Sequence, residues 1–157
     1  MVHEALAAWR FLGEGFDQWA EARAGTYGLT DPRQLRDAVS RVRRLLNRFR
    51  AHPLFTEMDQ ADHRLHEVPY SLVVDGQVES GVIDALYLRE GVWTLVEFKT
   101  DEIKDEADLE RLLATEDYIP QVERYIAAVE WLVGQRPRAI LCLLNYRKRV
   151  RLHRVEG

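Results

Sequence analysis

The chain has 157 residues, 46% of them hydrophobic, and a formal net charge of −4, which suits one domain with its own core. No apolar run reaches the roughly 18 residues a membrane-spanning helix needs. The amphipathic start lacks the basic-then-apolar pattern of a signal peptide, so a cytoplasmic location is expected. The single cysteine, Cys142, excludes an internal disulfide, a zinc knuckle and an all-cysteine iron–sulfur cluster.

Residues 2 to about 24 read as one helix, because Leu6, Trp9, Leu12, Phe16 and Trp19 fall near helical spacing. Residues 25–30 interrupt it. Asp31 then caps a second helix with Pro32 at its first position, and Leu35, Val39, Val42, Leu45, Leu46 and Phe49 form its buried stripe. Pro53 ends that helix, and 54–61 is a short helical turn. The period then changes. Val68, Tyr70, Leu72 and Val74 alternate with polar or small residues as in a half-buried strand, before a turn at Asp75-Gly76. A second strand runs over about 78–89 and a third over about 92–100, separated by Glu90-Gly91. The acidic stretch 101–117 has little apolar content and is expected to be a mobile connection that is in part helical. From Tyr118 the helical period returns, with Val122, Ile126, Val129 and Val133 on one face, closed by Gly134 and Pro137. Residues 139–144 predict a central strand, and 150–155 a polar final one. The expected fold is a single α/β domain over 1–157. Helices fill 1–61, and 62–157 hold a mixed sheet of about five strands flanked by helices.

Charge is segregated. Arg33, Arg36, Arg41, Arg43, Arg44, Arg48 and Arg50 crowd one segment, Arg147, Lys148, Arg149, Arg151 and Arg154 crowd another, and the acids concentrate in 101–117. This permits a basic surface on a mildly acidic protein; solvated helix faces and charged edge strands would leave the same pattern.

The chemistry-bearing stretch is Gly81-Val-Ile-Asp84 followed by Trp93-Thr-Leu-Val-Glu97-Phe-Lys99-Thr100. If Glu90-Gly91 is a two-residue loop, Arg89 pairs with Val92, and counting outward sets Asp84 opposite Glu97. Opposed residues share a face with Cβ atoms about 4.5–5.5 Å apart, and Lys99, two residues on, shares that face. Opposed like charges are destabilising unless compensated. A Mg²⁺ or Mn²⁺ ion suits hard carboxylate ligands; it would polarise a phosphoryl oxygen and lower the pKa of water, while Lys99 stabilises charge on the phosphate. A solvent-facing hairpin with a Glu–Lys pair accounts for the same residues.

The ordered set Glu67-Val-Pro-Tyr, Gly81-x-Ile-Asp84, Val-Glu97-Phe-Lys99-Thr100-Asp101 and Tyr118-x-x-Gln121-x-x-x-Tyr125 resembles RecB-family nuclease domains of the PD-(D/E)xK superfamily. It is most similar to the nuclease domain ending AddA-type helicase–nucleases. Glu97 stands where these domains commonly carry Asp. The resemblance implies a restriction-endonuclease-like core and a Mg²⁺- or Mn²⁺-dependent DNA exonuclease acting in repair or recombination. It implies Asp84, Glu97, Lys99, Gln121, Tyr125 and Glu67 as catalytic-centre residues, with Glu67 supporting Lys99 or a water. As metal ligands it implies His3, Asp84, Glu97 and Phe98. Taken alone, Gln121 and Tyr125 would also suit the boundary of a core, His3 a solvated terminus, and Glu67 a simple edge-strand acid. The family's first-helix histidine usually follows a glycine in G-x-x-x-H, and Val2-His3-Glu4 matches only the later part. The chain is therefore expected to be a piece of a longer prokaryotic, nucleoid-associated helicase–nuclease. Its expected partners are single-stranded DNA, a helicase domain in the same polypeptide and a partner subunit. The alternatives are a catalytically silent DNA-binding or scaffolding module and a stand-alone repair or defence nuclease.

Overall fold

The computed structural model describes residues 1–74 and 76–156. Four helices open the chain: α1 (Val2–Ala7), α2 (Phe16–Thr26), α3 (Pro32–Arg50) and α4 (Pro53–Asp59). Three strands follow, β1 (His63–Val74), β2 (Gln77–Arg89) and β3 (Val92–Lys99). Helices α5 (Glu106–Thr115) and α6 (Tyr118–Val133) then lead to β4 (Arg138–Tyr146) and β5 (Arg149–Arg154). The five strands lie in one sheet in the order β1-β2-β3-β4-β5. Only β3 and β4 are parallel. A parallel pair needs a long crossover, and α5 with α6 supplies it.

Each sheet face carries its own core. On one, Leu6, Phe16, Val42, Leu46, Phe49 and Met58 pack against Ala85, Tyr87, Val96, Phe98, Cys142 and Leu144. On the other, Leu109, Val122, Ile126 and Val129 cover Ile83, Leu86, Leu95, Leu141 and Leu143. The expected α/β domain with a five-stranded mixed sheet between helices is what the chain forms.

Two expectations need correction. The helix expected over 2 to 24 is two helices. Trp9 takes φ 47°, with Arg10 N–H donating to Ala5 O at 2.7 Å and Trp9 N–H to Leu6 O at 3.0 Å. This is a Schellman stop with tryptophan where glycine is usual. The indole is held by stacking on Phe55 (centroids 5.3 Å apart), by the Arg64 guanidinium 3.9 Å from its centroid and by an Nε1–H bond to Asp59 at 2.8 Å. Tertiary contacts therefore offset the left-handed backbone. Gly15, φ 74°, then starts α2. The second concerns 101–117, which is in part helical as expected but as an ordered ten-residue helix, α5, rather than a loose connection. Asp105 accepts from Asp108 N–H at 2.8 Å as N-cap, Glu106 and Asp108 occupy the first turn, where a helix favours negative charge, and Leu109, Leu112 and Leu113 reach the core.

The two-residue loop behaves as expected: Arg89 pairs with Val92, and Glu90 and Gly91 both have positive φ. Of the expected Asp75-Gly76 turn, Asp75 lies outside the described residues; Gly76 has φ 78°. β1 starts at His63, ahead of the expected Val68. The β1–β2 hairpin also contains an irregularity. In a regular strand Ile83 and Ala85 would share a face, yet Ile83 packs with α6 and Ala85 with α1–α4. The same switch separates Val68 from His66, which meets Trp9. Between them Glu67 has φ 49°, and neither Glu67 nor Asp84 has a ladder partner in this pair. Asp84 thus sits where the hairpin changes faces.

Candidate active site

The β3–β4 pairing ends at Lys99–Leu143 beside this break, and the carboxyl ends of parallel strands are where open α/β sheets place ligands. Asp84 does not form a cross-strand pair with Glu97, because the β2–β3 ladder stops at Ala85–Val96. Its Oδ2 instead accepts the Phe98 N–H at 2.8 Å. His3, on α1, brings Nε2 to 3.7 Å from that oxygen and 2.9 Å from the Phe98 carbonyl. A carbonyl only accepts, so Nε2 carries the proton in this arrangement.

Glu97 is 5% exposed. Its Oε1 accepts from Lys99 Nζ at 2.9 Å, while Oε2 is buried without a partner. Burial first, and the Asp84 carboxylate second, push its pKa up to about 7 against the pull of Lys99. Lys99 Nζ also donates to Gln121 Oε1 at 3.0 Å and lies 4.1 Å from the Tyr118 ring centroid. Gln121 Nε2 donates to the Tyr125 hydroxyl at 2.8 Å. The turn spacing of α6 puts Gln121 and Tyr125 on one face, so the amide joins lysine to phenol. Burial and Glu97 raise Tyr125 to about 12, and burial with the Asp101 hydrogen bond raises Tyr118 to about 12. Both phenols keep their protons at neutral pH. The Tyr118 hydroxyl donates to Asp101 Oδ2 at 3.0 Å; that of Tyr125 has no acceptor among the described hydrogen bonds.

Tyr70 buttresses this chain from β1. Its ring meets Tyr125 edge-on at 5.5 Å and lies across Gly81, its cross-strand partner, where a Cβ would stand 2.8 Å from Tyr70 Cε1. Tyr70 and Gly81 both fall in the motif set, but their contact carries no separate sequence signal. The structure therefore gathers His3, Asp84, Glu97, Phe98, Lys99, Gln121 and Tyr125 at one end of the sheet. Glu67 is exposed and is not among Lys99's partners.

Among the described residues, no three His, Cys, Asp or Glu side chains are grouped closely enough to hold an ion by themselves. One Glu97 oxygen is committed to Lys99 and His3 Nε2 to Phe98 O. The orphaned Glu97 Oε2 next to Asp84 nevertheless has the chemistry of a cation ligand: buried, anionic when deprotonated, and short of positive charge. With the Phe98 carbonyl it makes an all-oxygen set that fits Mg²⁺ or Mn²⁺.

No protein-family model matches the chain, and no curated protein matches its sequence. Among solved structures, the whole chain aligns with 60% of a Eubacterium rectale protein named "putative exonuclease", at 12% identity and TM-score 0.56. Of the chain, 74% aligns with 27% of the Vibrio cholerae protein VC1899, at 16% identity and TM-score 0.41. The Eubacterium rectale likeness is one of fold, and the chain spans less than two thirds of either neighbour.

Proposed function

We propose that the chain is a Mg²⁺- or Mn²⁺-dependent deoxyribonuclease of the PD-(D/E)xK type. The observation that carries the reading is the buried Glu97 Oε2, unpartnered beside Asp84 and on the same strand as a lysine held in place by Gln121. Asp84, Glu97 and the Phe98 carbonyl would hold the cation, joined by His3 once its Nε2 proton moves to Nδ1. The bound cation supplies Lewis acidity toward a phosphodiester and its attacking water.

The chain's own groups do the rest. Lys99 keeps an ammonium at the edge of the cluster, where it stabilises charge gathering on the phosphoryl oxygens and orients water. Gln121 and the Tyr118 face hold it there, which lowers the entropy lost on engaging substrate. Tyr125 has a hydroxyl proton available for a phosphate oxygen. Glu97 has to be deprotonated to serve as a ligand, so cation affinity should fall as pH drops below about 7. The fold of the Eubacterium rectale neighbour, whose name includes "exonuclease", is consistent with this class.

The finer reading is a RecB-like domain, similar in motif to those ending AddA-type helicase–nucleases. In it the chain degrades single strands delivered by a helicase in the same polypeptide, next to a partner subunit, during break repair or recombination in the prokaryotic cytoplasm. No helix among the described residues is long and apolar enough to cross a membrane. Cleavage of single- and double-stranded DNA with Mg²⁺ or Mn²⁺, comparing wild type with Lys99→Ala and Asp84→Asn, tests the chemistry. Both variants should lose cutting; undiminished activity in both would place the chemistry elsewhere. Cation titration of the isolated chain should show weak binding, lost in Asp84→Asn and reduced in His3→Ala. A chain that binds DNA but no cation would be the silent module instead.

A further inference from the structure

The arginines of α3 do not all behave alike. Arg43 pairs with Asp17, as Arg124 does with Asp117 and Arg151 with Glu106. Arg41, Arg44 and Arg48 take part in no ion pair among the described residues, nor does Lys148. These four line one groove of about 210 Å³ between α3 and the β4–β5 turn, with Leu45, Asn145 and a single acid, Glu102. Helical spacing sets Arg41, Arg44 and Arg48 in one stripe, and the buried Leu45, Leu46 and Phe49 fix that stripe outward. In a chain with more acids than bases, such a collection of uncompensated cations is directed at something anionic.

The position of the groove says what. Arg41 Nη2 is 3.5 Å from the carbonyl of Thr100, the residue after Lys99, and Arg48 hydrogen-bonds Asn145 at the end of β4. The groove thus opens beside the carboxyl ends of β3 and β4, next to the candidate active site. No aromatic ring lines it, so it suits phosphates rather than bases.

The opposite wall carries a second, independent sign. Tyr146 pairs with Arg149, leaving a two-residue loop of Arg147 and Lys148 with φ 48° and 59°. Such loops favour Asn-Gly, because both positions are left-handed, and side-chain-bearing residues adopt that conformation at a cost. Two cationic residues stand there against the local preference, and backbone strain of this kind collects at functional sites.

We propose that this groove binds the sugar–phosphate backbone of a single DNA strand, without reading its sequence, and leads it to Lys99; that the strand is substrate rests on the nuclease reading. Fluorescence anisotropy of labelled oligodeoxythymidine, measured on the whole chain in EDTA, separates binding from cleavage. Arg44→Gln/Lys148→Gln removes two phosphate contacts, so affinity should fall several-fold and the log–log salt slope should flatten by about 1.4, at about 0.7 per contact for single strands. Glu102→Gln should tighten binding. Arg147→Asn/Lys148→Gly should raise the Tm yet weaken binding, an outcome a merely structural turn would not give. Unchanged affinity and slope in the two double variants, or tighter binding of duplex than of single strand, would overturn the groove. Binding that depends on these cations in a chain that takes up neither Mg²⁺ nor Mn²⁺ would uphold the groove and refute the nuclease instead.

Discussion

Replacing Glu97 with Gln should stabilise the metal-free protein at alkaline pH while removing its capacity for a cation. Glu97 is 5% exposed, with one oxygen unpartnered, and burial followed by the Asp84 charge raises its pKa from 4.5 to about 7. Between those two pH values the folded chain holds a proton that the unfolded chain has released. Folding therefore loses stability as pH rises through that window. The penalty is absent below about pH 4.5 and complete above about pH 7, where it amounts to about 3 kcal/mol. Glutamine, neutral like the protonated acid, removes it, and the attraction of Lys99 for the charged form is already contained in that net shift. The net expectation is a variant about 3 kcal/mol more stable at pH 8 and no more stable than wild type near pH 4.5. Urea denaturation in EDTA across that range measures it. Mg²⁺ should then raise the wild-type midpoint and leave the variant unmoved, since only a ligand that binds the folded state shifts it. Stability curves for the two proteins running parallel from pH 4.5 to 8 would show that Glu97 carries no buried charge.

Gly81→Ala sets two effects against each other. Relief of glycine's entropy in a strand is worth about 0.5–1 kcal/mol, whereas a Cβ 2.8 Å from the Tyr70 ring forces a buried side chain to move, and overpacking costs about 1–3 kcal/mol. Net destabilisation of about 1 kcal/mol is expected by denaturant melts, relieved by adding Tyr70→Leu; a more stable single variant would mean Tyr70 yields freely. Asp31→Ala removes the cap that accepts from Arg33 and Gln34 N–H and should cost about 1 kcal/mol, read as a lower denaturation midpoint with unchanged m-value.

How much of this was legible depends on where the determinants lie. Asp31-Pro32, the α3 stripe and the Glu90-Gly91 loop are local signals, and each acts as its chemistry dictates. The register outward from Arg89–Val92 follows from the loop alone, and the shared face of Glu97 and Lys99 follows from the strand period. Trp9 was illegible because a bulky residue in a left-handed stop has no sequence signature; rings and charges from α4 and β1 hold it there. Gly13 and Gly15, of a residue type that interrupts helices, lie in the gap between α1 and α2. The α5 helix was obscured by its acidity, although Asp105, Glu106 and Asp108 are what a helix start prefers.

The face switch at Glu67 and Asp84 could not be counted from the sequence, and it alters what the carboxylate pair means. Had β2 alternated regularly, Asp84 would face Glu97 as a simple cross-strand pair on the α6 side. Because the strands exchange faces there, Ile83 fills one core, Ala85 the other, and Asp84 belongs to neither. Its carboxylate is freed to reach the Phe98 amide, at the point where His3 arrives from the α1 layer. Lys99 and Glu97, on the other face, meet Gln121 and Tyr125 from α6. The irregular pair thus lets one cluster recruit side chains from both helical layers, which a flat sheet would keep apart.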